Sequence, residues 1–471
     1  MKRLSLCLLI LFTFVLTACK DKVEDFDPNE IENKGPEGSS IPYFVINTLG
    51  NTIVDEPKVR ATLSVFVDQE LVFSNRIGIE LRGSTSRRLF PKKSFGIEFW
   101  DEAGQDVSLE ILDFGKEEDW VLHGPYSDKT LLRNKLIYDL SNEIGQYAAK
   151  TRLVEVDIDG TFRGTYVFME KLKRDNDRLT IEPMDASITS GEELTGGYIL
   201  KIDKTGGDTE DSDWSGDAAY SEFLSFRSNY TSSGQSFASP LPYGDKQGFE
   251  TYFLYDYPRP ENINSEQKAY IQNYIQDFEE ALANDDFSGA SRAYESYIDV
   301  NSFVDFFILN ELSANPDAYR LSTYMHKFRN GKLRMGPIWD FNLAFGNDGR
   351  SSTFGWIYQY NTLYPNDLWL VHFWYPKLMQ DSVFRAAIKT RWNELKNSTL
   401  SAQNVQSKID EWVTNLDENG AITRNFDQWP VIGEELPFNS FVGNSYEEEI
   451  NYVKNWISER ISWMDSKIQV W

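Results

Sequence analysis

Cysteine is almost missing from this chain. Only Cys7 and Cys19 occur in 471 residues, both near the start. Histidine is nearly as scarce: His123, His326 and His372 stand in dissimilar contexts. That argues against a histidine metal cluster and marks no base for a Ser–His–Asp triad. The spaced patterns GxxxxGK[ST], HExxH, GxSxG and GxGxxG do not occur, and neither does an internal repeat. Positive charge is also short, with 47 Lys and Arg against 73 Asp and Glu, a net −26. Such a surface repels phosphate backbones, so no nucleic-acid partner is expected.

What is present begins with MKRLSLCLLILFTFVLTAC. Lys2 and Arg3 precede an apolar run from Leu4 to Leu16, and small residues lead into Cys19. This reads as a bacterial lipoprotein signal over 1–18 rather than a spanning helix. Cleavage there would remove Cys7, leaving no cysteine pair for a disulfide or a zinc–thiolate site, and no thiol nucleophile. Cys19 would carry the lipid, with the membrane as a partner and the outer membrane or cell surface as the expected location. Residues 19–40 are acidic with Pro and Gly, a flexible tether.

Beyond the tether the pattern is first β, then α. IPYFVINT, ATLSVFVDQELVFS, RIGIELRG and KSFGIEFW read as strands. SDKTLLRNKLIYDLSNEIG reads as a helix capped by Ser127 or Asp128 and ended by Gly145. TRLVEVDIDGTFRGTYVFMEKL is a hairpin turning at Asp159-Gly160. GGYILKID is a further strand, and 205–250 a Gly-, Ser- and Asp-rich insertion. From NSEQKAYIQNYIQDFEEALAN onward most segments are amphipathic helices. The expectation is an α+β chain, a β-rich lobe over 41–172 and a mostly helical lobe over 173–471, with a cleft between them. The 13 Trp and 24 Tyr keep open a noncatalytic surface protein that binds glycan or protein.

One acid is out of place. In MGPIWDFNLAFGN, Asp340 sits inside an apolar strand end, where a carboxylate loses hydration unless a cation or donors replace it. It either caps a turn, pairs with an arginine, or holds a metal. Earlier, NELSANPDAYRLSTY breaks a helix at Asn-Pro and places Asp317 in the following loop. Two acids on neighbouring strand ends suit phosphoryl transfer, one holding Mg²⁺ against phosphates and one accepting a hydroxyl proton. Ser322, five residues past Asp317, and Asn342 are further oxygen ligands for that ion.

Six blocks carry a resemblance: LRGSTSRRLFPKKSFGIEF, DWVLHGPYSDKTLLRN, VEVDIDGTFRGTYVFMEKLKRDNDR, GGYILKIDK, FVDFFILNELSANPDAYRLSTY and MGPIWDFNLAFGN. In this order they resemble the CotH family, atypical relatives of the protein kinases, from about Ile77 onward. The resemblance implies an atypical kinase-like two-lobed fold, with ATP and Mg²⁺ or Mn²⁺ as cofactors. It implies transfer of the γ-phosphoryl group to Ser or Thr of a protein, with AMP transfer as a further option for the same cleft. Asp317 would be the catalytic acid and Asp340 the metal ligand. The family more often reads WDFD, and Asn342 here loses that second charge.

The front lobe supplies candidates for the phosphates. Arg82, Gly83, Ser84 and Ser86 form a turn rich in hydroxyls and backbone donors. Lys92 and Lys93 open the next strand, and Lys171 ends YVFMEK; any of them could neutralise phosphate, as could Arg133. A separate pattern, Asp211, Asp213, Ser215 and Glu222 around Gly216, matches a calcium loop, or is an acidic Gly-rich loop that matches by chance.

Overall fold

The computed structural model describes residue 28 and residues 31–206, 215–237, 243–289 and 292–471. The expected signal, Cys19 and most of the tether lie outside the described residues, as do Asp211 and Asp213.

The first body is a closed barrel. Its elements are β1 (Tyr43–Asn47), β2 (Val59–Val67), β3 (Glu70–Arg82), a short helix α1 (Thr85–Leu89), β4 (Ser94–Trp100), β5 (Asp119–His123), α2 (Arg133–Glu143), β6 (Thr151–Ile158) and β7 (Thr161–Glu170). The strand order is β1-β2-β3-β4-β5-β7-β6, closed by parallel pairing of β1 with β6. Closure removes both free edges. The interior holds one side of each alternating strand, including Phe44, Leu63, Ile79, Ile97, Trp120 and Phe168. Asp159 and Gly160 take positive φ between Ile158 and Thr161, the two-residue hairpin that Asp-Gly favours. ATLSVFVDQELVFS is two strands, not one: Asp68 and Gln69 turn with positive φ, and the second half runs on into RIGIELR.

Helix α2 begins later than the capping signal suggests. Leu131 takes positive φ and interrupts the first turn, and Asp128 accepts from the Arg133 N–H at 2.9 Å. Asp128 therefore still serves the helix start, but through a loop. Although α2 lies between two barrel strands in sequence, its Leu136, Ile137 and Leu140 join the larger core behind the barrel.

That second core is built from β8 (Tyr198–Ile202), β9 (Ser225–Arg227), β10 (Tyr252–Tyr257), α3 (Ser265–Ala283), α4 (Val300–Ser313), β11 (Thr323–Lys327), β12 (Leu333–Met335), α5 (Tyr360–Leu363), α6 (Trp374–Leu378), α7 (Ser382–Leu395), α8 (Ala402–Glu418), α9 (Ala421–Gln428) and α10 (Tyr446–Ile468). The strands form a five-stranded sheet ordered β12-β11-β8-β10-β9. Thus the expected helical portion also carries a sheet, and β9 lies within the expected insertion. Helix α4 is buried along nearly its whole length, its Asp305, Asn310 and Glu311 included. Oxygen side chains at helix starts fix the surrounding helices: Asn264 with Gln267 on α3, Asp299 on α4, and Ser445 on α10.

Helix α4 ends on a buried ion pair. Arg460 of α10 donates to Glu311 Oε2 at 3.1 Å and to the Glu311 carbonyl at 2.7 Å, and both side chains are 0% exposed. Glu311 also accepts the N–H groups of Ile357 and Tyr358 and the Tyr319 hydroxyl. Burial raises the Glu311 carboxyl and lowers Arg460 to about 10, so desolvation opposes the pair even as attraction and hydrogen bonds hold it. Replacing Arg460 by Met leaves Glu311 charged and unpaired. Urea unfolding should then show a loss of about 3–5 kcal/mol, with the Glu311→Gln, Arg460→Met double variant losing less than that.

Candidate active site

Three carboxylates gather where the five-stranded sheet meets the barrel. Asp317 follows α4, Asp340 follows β12, and Asp203 follows β8. The register explains the meeting. Ile202 pairs with Thr323 and Gly336 donates to the Tyr324 carbonyl, so positions 203, 322 and the strand leading to 340 reach the same end of the sheet.

Asp340 takes positive φ, an uncommon conformation for a residue with a side chain and one that turns it out of the strand. Helix α2 holds it there. Tyr138 Oη accepts the Asp340 N–H at 2.9 Å, and Asn134, one turn earlier, accepts the Phe341 N–H at 2.7 Å. Arg133 does not face phosphate: it donates to the Ala344 carbonyl at 3.1 Å and pairs with Asp128. The Asp340 side chain is open to solvent but recessed among protein groups. Its carboxyl is pushed up to about 7, by loss of hydration first, then by the charges of Asp317 and Asp203, against the pull of Arg82 and Lys204. Among the described residues no Lys or Arg nitrogen lies within ion-pair distance of Asp340, so the arginine-paired alternative does not hold.

Asp317 is held by one oxygen. Arg320 Nη2 donates to its Oδ1 at 2.8 Å, while Arg320 is buried against Tyr360, 4.2 Å from the ring centroid. The same guanidinium reaches Asp367 and the Trp369 carbonyl. Asp203 was not marked in the sequence. Its Oδ1 accepts the Lys204 N–H at 2.9 Å, its carboxylate also accepts the Ser322 N–H, and burial raises its pKa. Ser322 has positive φ and sits beside it. Asn342 uses its carbonyl to accept from Asn347. The signal for Asp203 existed in kind: an acid closes an apolar strand in GGYILKID, as Asp340 does in its own strand.

The basic candidates divide. Arg82, at the end of β3, lies over Trp339 at 5.4 Å and acts electrostatically on Asp340, with no carboxylate in ion-pair distance among the described residues. Gly83 has positive φ, and a Cβ there would stand 2.5 Å from Ser86 Oγ. Ser84 accepts from Arg88, which also grips Asp217 with two bonds of 2.9 and 2.8 Å. Lys171 is paired with Asp119 at 2.9 Å, and burial lowers its pKa. Lys93 caps the carbonyls of Arg87 and Phe90. Lys92 is 2% exposed and donates to the Thr165 carbonyl and Asn425, a contact between β7 and α9. Neither Lys92 nor Lys93 joins the carboxylates, because each ammonium is already used on backbone oxygens.

Of the calcium pattern, Ser215 opens a short 3₁₀ turn, Ser215–Ala218, and Glu222 is exposed. Glu117, Glu118 and Asp119 form another acidic group, within 4.8 Å of one another, but Lys173 bonds to all three. A cavity of about 280 Å³ lies behind the strand at Pro337 and Ile338, and none of the three site carboxylates lines it.

The donor set at the sheet end fits a hard divalent cation. Asp340 offers the carboxylate oxygens that Mg²⁺ and Mn²⁺ prefer, and among the described residues no Lys or Arg is ion-paired to it, although Asp203, Asp317 and Asp340 do not converge within 4.8 Å as a trio. Residues 79–464 match the family described as "CotH kinase protein", and the chain belongs to that family. Among solved structures the chain is similar to the Helicobacter pylori proinflammatory kinase CtkA, at 10% identity and TM-score 0.31, over 81% of this chain and 96% of that one. A comparison with curated proteins gave no match.

The raised Asp340 pKa sets a pH dependence. Ionising Asp340 costs more in the folded chain than in the unfolded one, so its contribution is fully favourable below 3.8 and is lost as pH rises through about 7. Asp340→Asn, neutral throughout, should raise the melting temperature of the metal-free chain more at pH 8 than at pH 5. Mn²⁺ should stabilise the wild type at pH 8 and leave the variant's melting temperature unchanged.

Proposed function

We propose that the chain is an exported, lipid-anchored kinase that transfers the γ-phosphoryl group of ATP to Ser or Thr of a protein, with Mg²⁺ or Mn²⁺. The observation that carries this reading is the acid Asp340, held at positive φ by α2, its carboxyl raised to about 7 by lost hydration and by the charges of Asp317 and Asp203, with no ion-paired cation among the described residues. Such repulsion is costly unless a cation joins the cluster. Asp340 would hold the divalent ion, with Asn342 or Ser322 as weaker oxygen donors. The ion, when bound, neutralises the charge of the phosphates in the transition state.

The chain's own groups supply the rest. Asp317 keeps one oxygen on Arg320 and presents the other to the acceptor hydroxyl. As the hydroxyl oxygen bonds to the γ-phosphorus, Asp317 takes its proton and the bond to the β–γ bridging oxygen breaks, releasing ADP. Arg82 and the backbone donors of the Gly83 turn would meet phosphate oxygens. Lys171, tied to Asp119, would add positive field beside Arg82. Support for the location comes from the first nineteen residues, where the basic start, apolar run and Cys19 fit a lipid-modified export signal. Among the described residues no helix is long and apolar enough to cross a membrane.

ATP labelled separately at the α and γ positions tests the reaction. The γ label should enter Ser or Thr of the chain itself or of a mixed peptide library, and Asp317→Asn should abolish transfer while nucleotide still binds. Label entering from the α position would replace the reading by AMP transfer. Absence of metal-dependent nucleotide binding would leave a noncatalytic scaffold. Arg82→Ala should weaken nucleotide binding about tenfold, and Lys92→Met should leave it within about twofold.

A further inference from the structure

Asp317 is gripped by a buried cation, yet by one oxygen only, and the reason lies on the other arms of that cation. The Arg320 side chain is 2% exposed, its guanidinium covered by the Tyr360 ring at 4.2 Å. A guanidinium carries five N–H donors in a rigid plane, and it seizes both oxygens of a carboxylate only through two neighbouring arms. Here the arms are divided. Nη2 donates to Asp317 Oδ1 at 2.8 Å and Nε to the Pro316 carbonyl at 2.8 Å. Nη1 donates to Asp367 Oδ2 at 3.3 Å and to the Trp369 carbonyl at 3.0 Å. Both nitrogens that could form a fork with Nη2 are therefore occupied, and Asp317 receives a single bond.

Asp367, past α5, is fixed from its own side. Tyr360 Oη donates to the same Oδ2 at 2.6 Å, and the Trp369 N–H donates to Oδ1 at 2.9 Å. Tyr360 thus covers the flat face of the guanidinium with its ring while its hydroxyl aims the acid at the edge. The Asp367 N–H closes a turn on the Tyr364 carbonyl at 3.2 Å, which sets the backbone that carries the carboxylate.

We propose that Asp367 is a positioning residue for Asp317, acting through Arg320. By drawing Nη1 to itself it keeps Arg320 from closing a two-bond fork on Asp317, so one Asp317 oxygen stays free for the acceptor hydroxyl. This rests on the reading of Asp317 as the group that takes the hydroxyl proton. Without the Asp367 charge, Nη1 has an N–H to spare, and the carboxylate already bonded to Nη2 is the charged acceptor at hand. A carboxylate held by two charge-assisted bonds is a poorer base and has lost the lone pairs it would use.

The test is γ-phosphoryl transfer from ATP with Mn²⁺, by the full chain, into the best acceptor of a Ser/Thr peptide library. Asp367→Asn should lower kcat roughly tenfold while the KM for ATP stays within about twofold, since the change is confined to the base. An Arg320→Lys background separates positioning from packing. An ammonium has no second arm to close on Asp317, so Asp367→Asn should there alter kcat less than about twofold. Should either variant fail to fold, Tyr360→Phe is read instead. It removes the hydroxyl that aims Asp367 and should lower kcat about threefold at unchanged KM for ATP. Wild-type kcat in Asp367→Asn or in Tyr360→Phe, a loss confined to KM, or an undiminished loss in the Arg320→Lys background would overturn the role of Asp367 alone. Absence of γ transfer by the wild type would overturn the reading on which it rests.

Discussion

The pair of Glu311 and Arg460 is the constraint on which the rest of the molecule hangs. Both charges are sealed, and each is the centre of several hydrogen bonds. Glu311 gathers the end of α4, the loop at Ile357 and Tyr358, and the hydroxyl of Tyr319. Arg460 adds α10 and the carbonyl of Gly355. The loop that carries Asp317 starts three residues past this knot, with Ala314 in a left-handed turn as the helix ends. Buried ions hold position because moving either one exposes an uncompensated charge to low dielectric. The position of Asp317 is thus set from behind, by a residue of the last helix.

The opposite logic governs the front of the same loop. Around Asp340 the fold brings acids together and withholds the lysines that would neutralise them. Arg133 is spent on Asp128 and two carbonyls, Lys201 on Asp256, and Lys171 on Asp119. Arg82, stacked on Trp339, and Lys204 remain near enough to act on the Asp340 carboxyl without an ion pair. Such repulsion raises the Asp340 carboxyl and costs stability as that group ionises.

Much of this was legible from residue pattern. The Asp159-Gly160 hairpin and the break at Asn315-Pro316 each rest on a local backbone preference, and each appears where the residue types demand it. Asp340 stood out because an acid in an apolar run is costly on any fold. The lysines were harder. Lys92 and Lys93 are neighbours in sequence, and nothing local shows that one ammonium ends on Asn425 and the other on Arg87. The start of α2 was displaced because Leu131 turns left-handed within a capping signal that looked sufficient.

The sequence by itself determined where most strands of the first body fall, the Asp-Gly hairpin and the two acids that break apolar segments. These follow from short-range preferences and from the cost of burying charge, which act on any few consecutive residues. Tertiary structure alone decided which third acid joins them and which cations are kept away. Asp203 lies more than a hundred residues from Ser322, and only the register of β8 against β11 sets the two side by side. A long-range pairing of that kind leaves no trace in local composition, because the same strand would read identically at any place in the sheet.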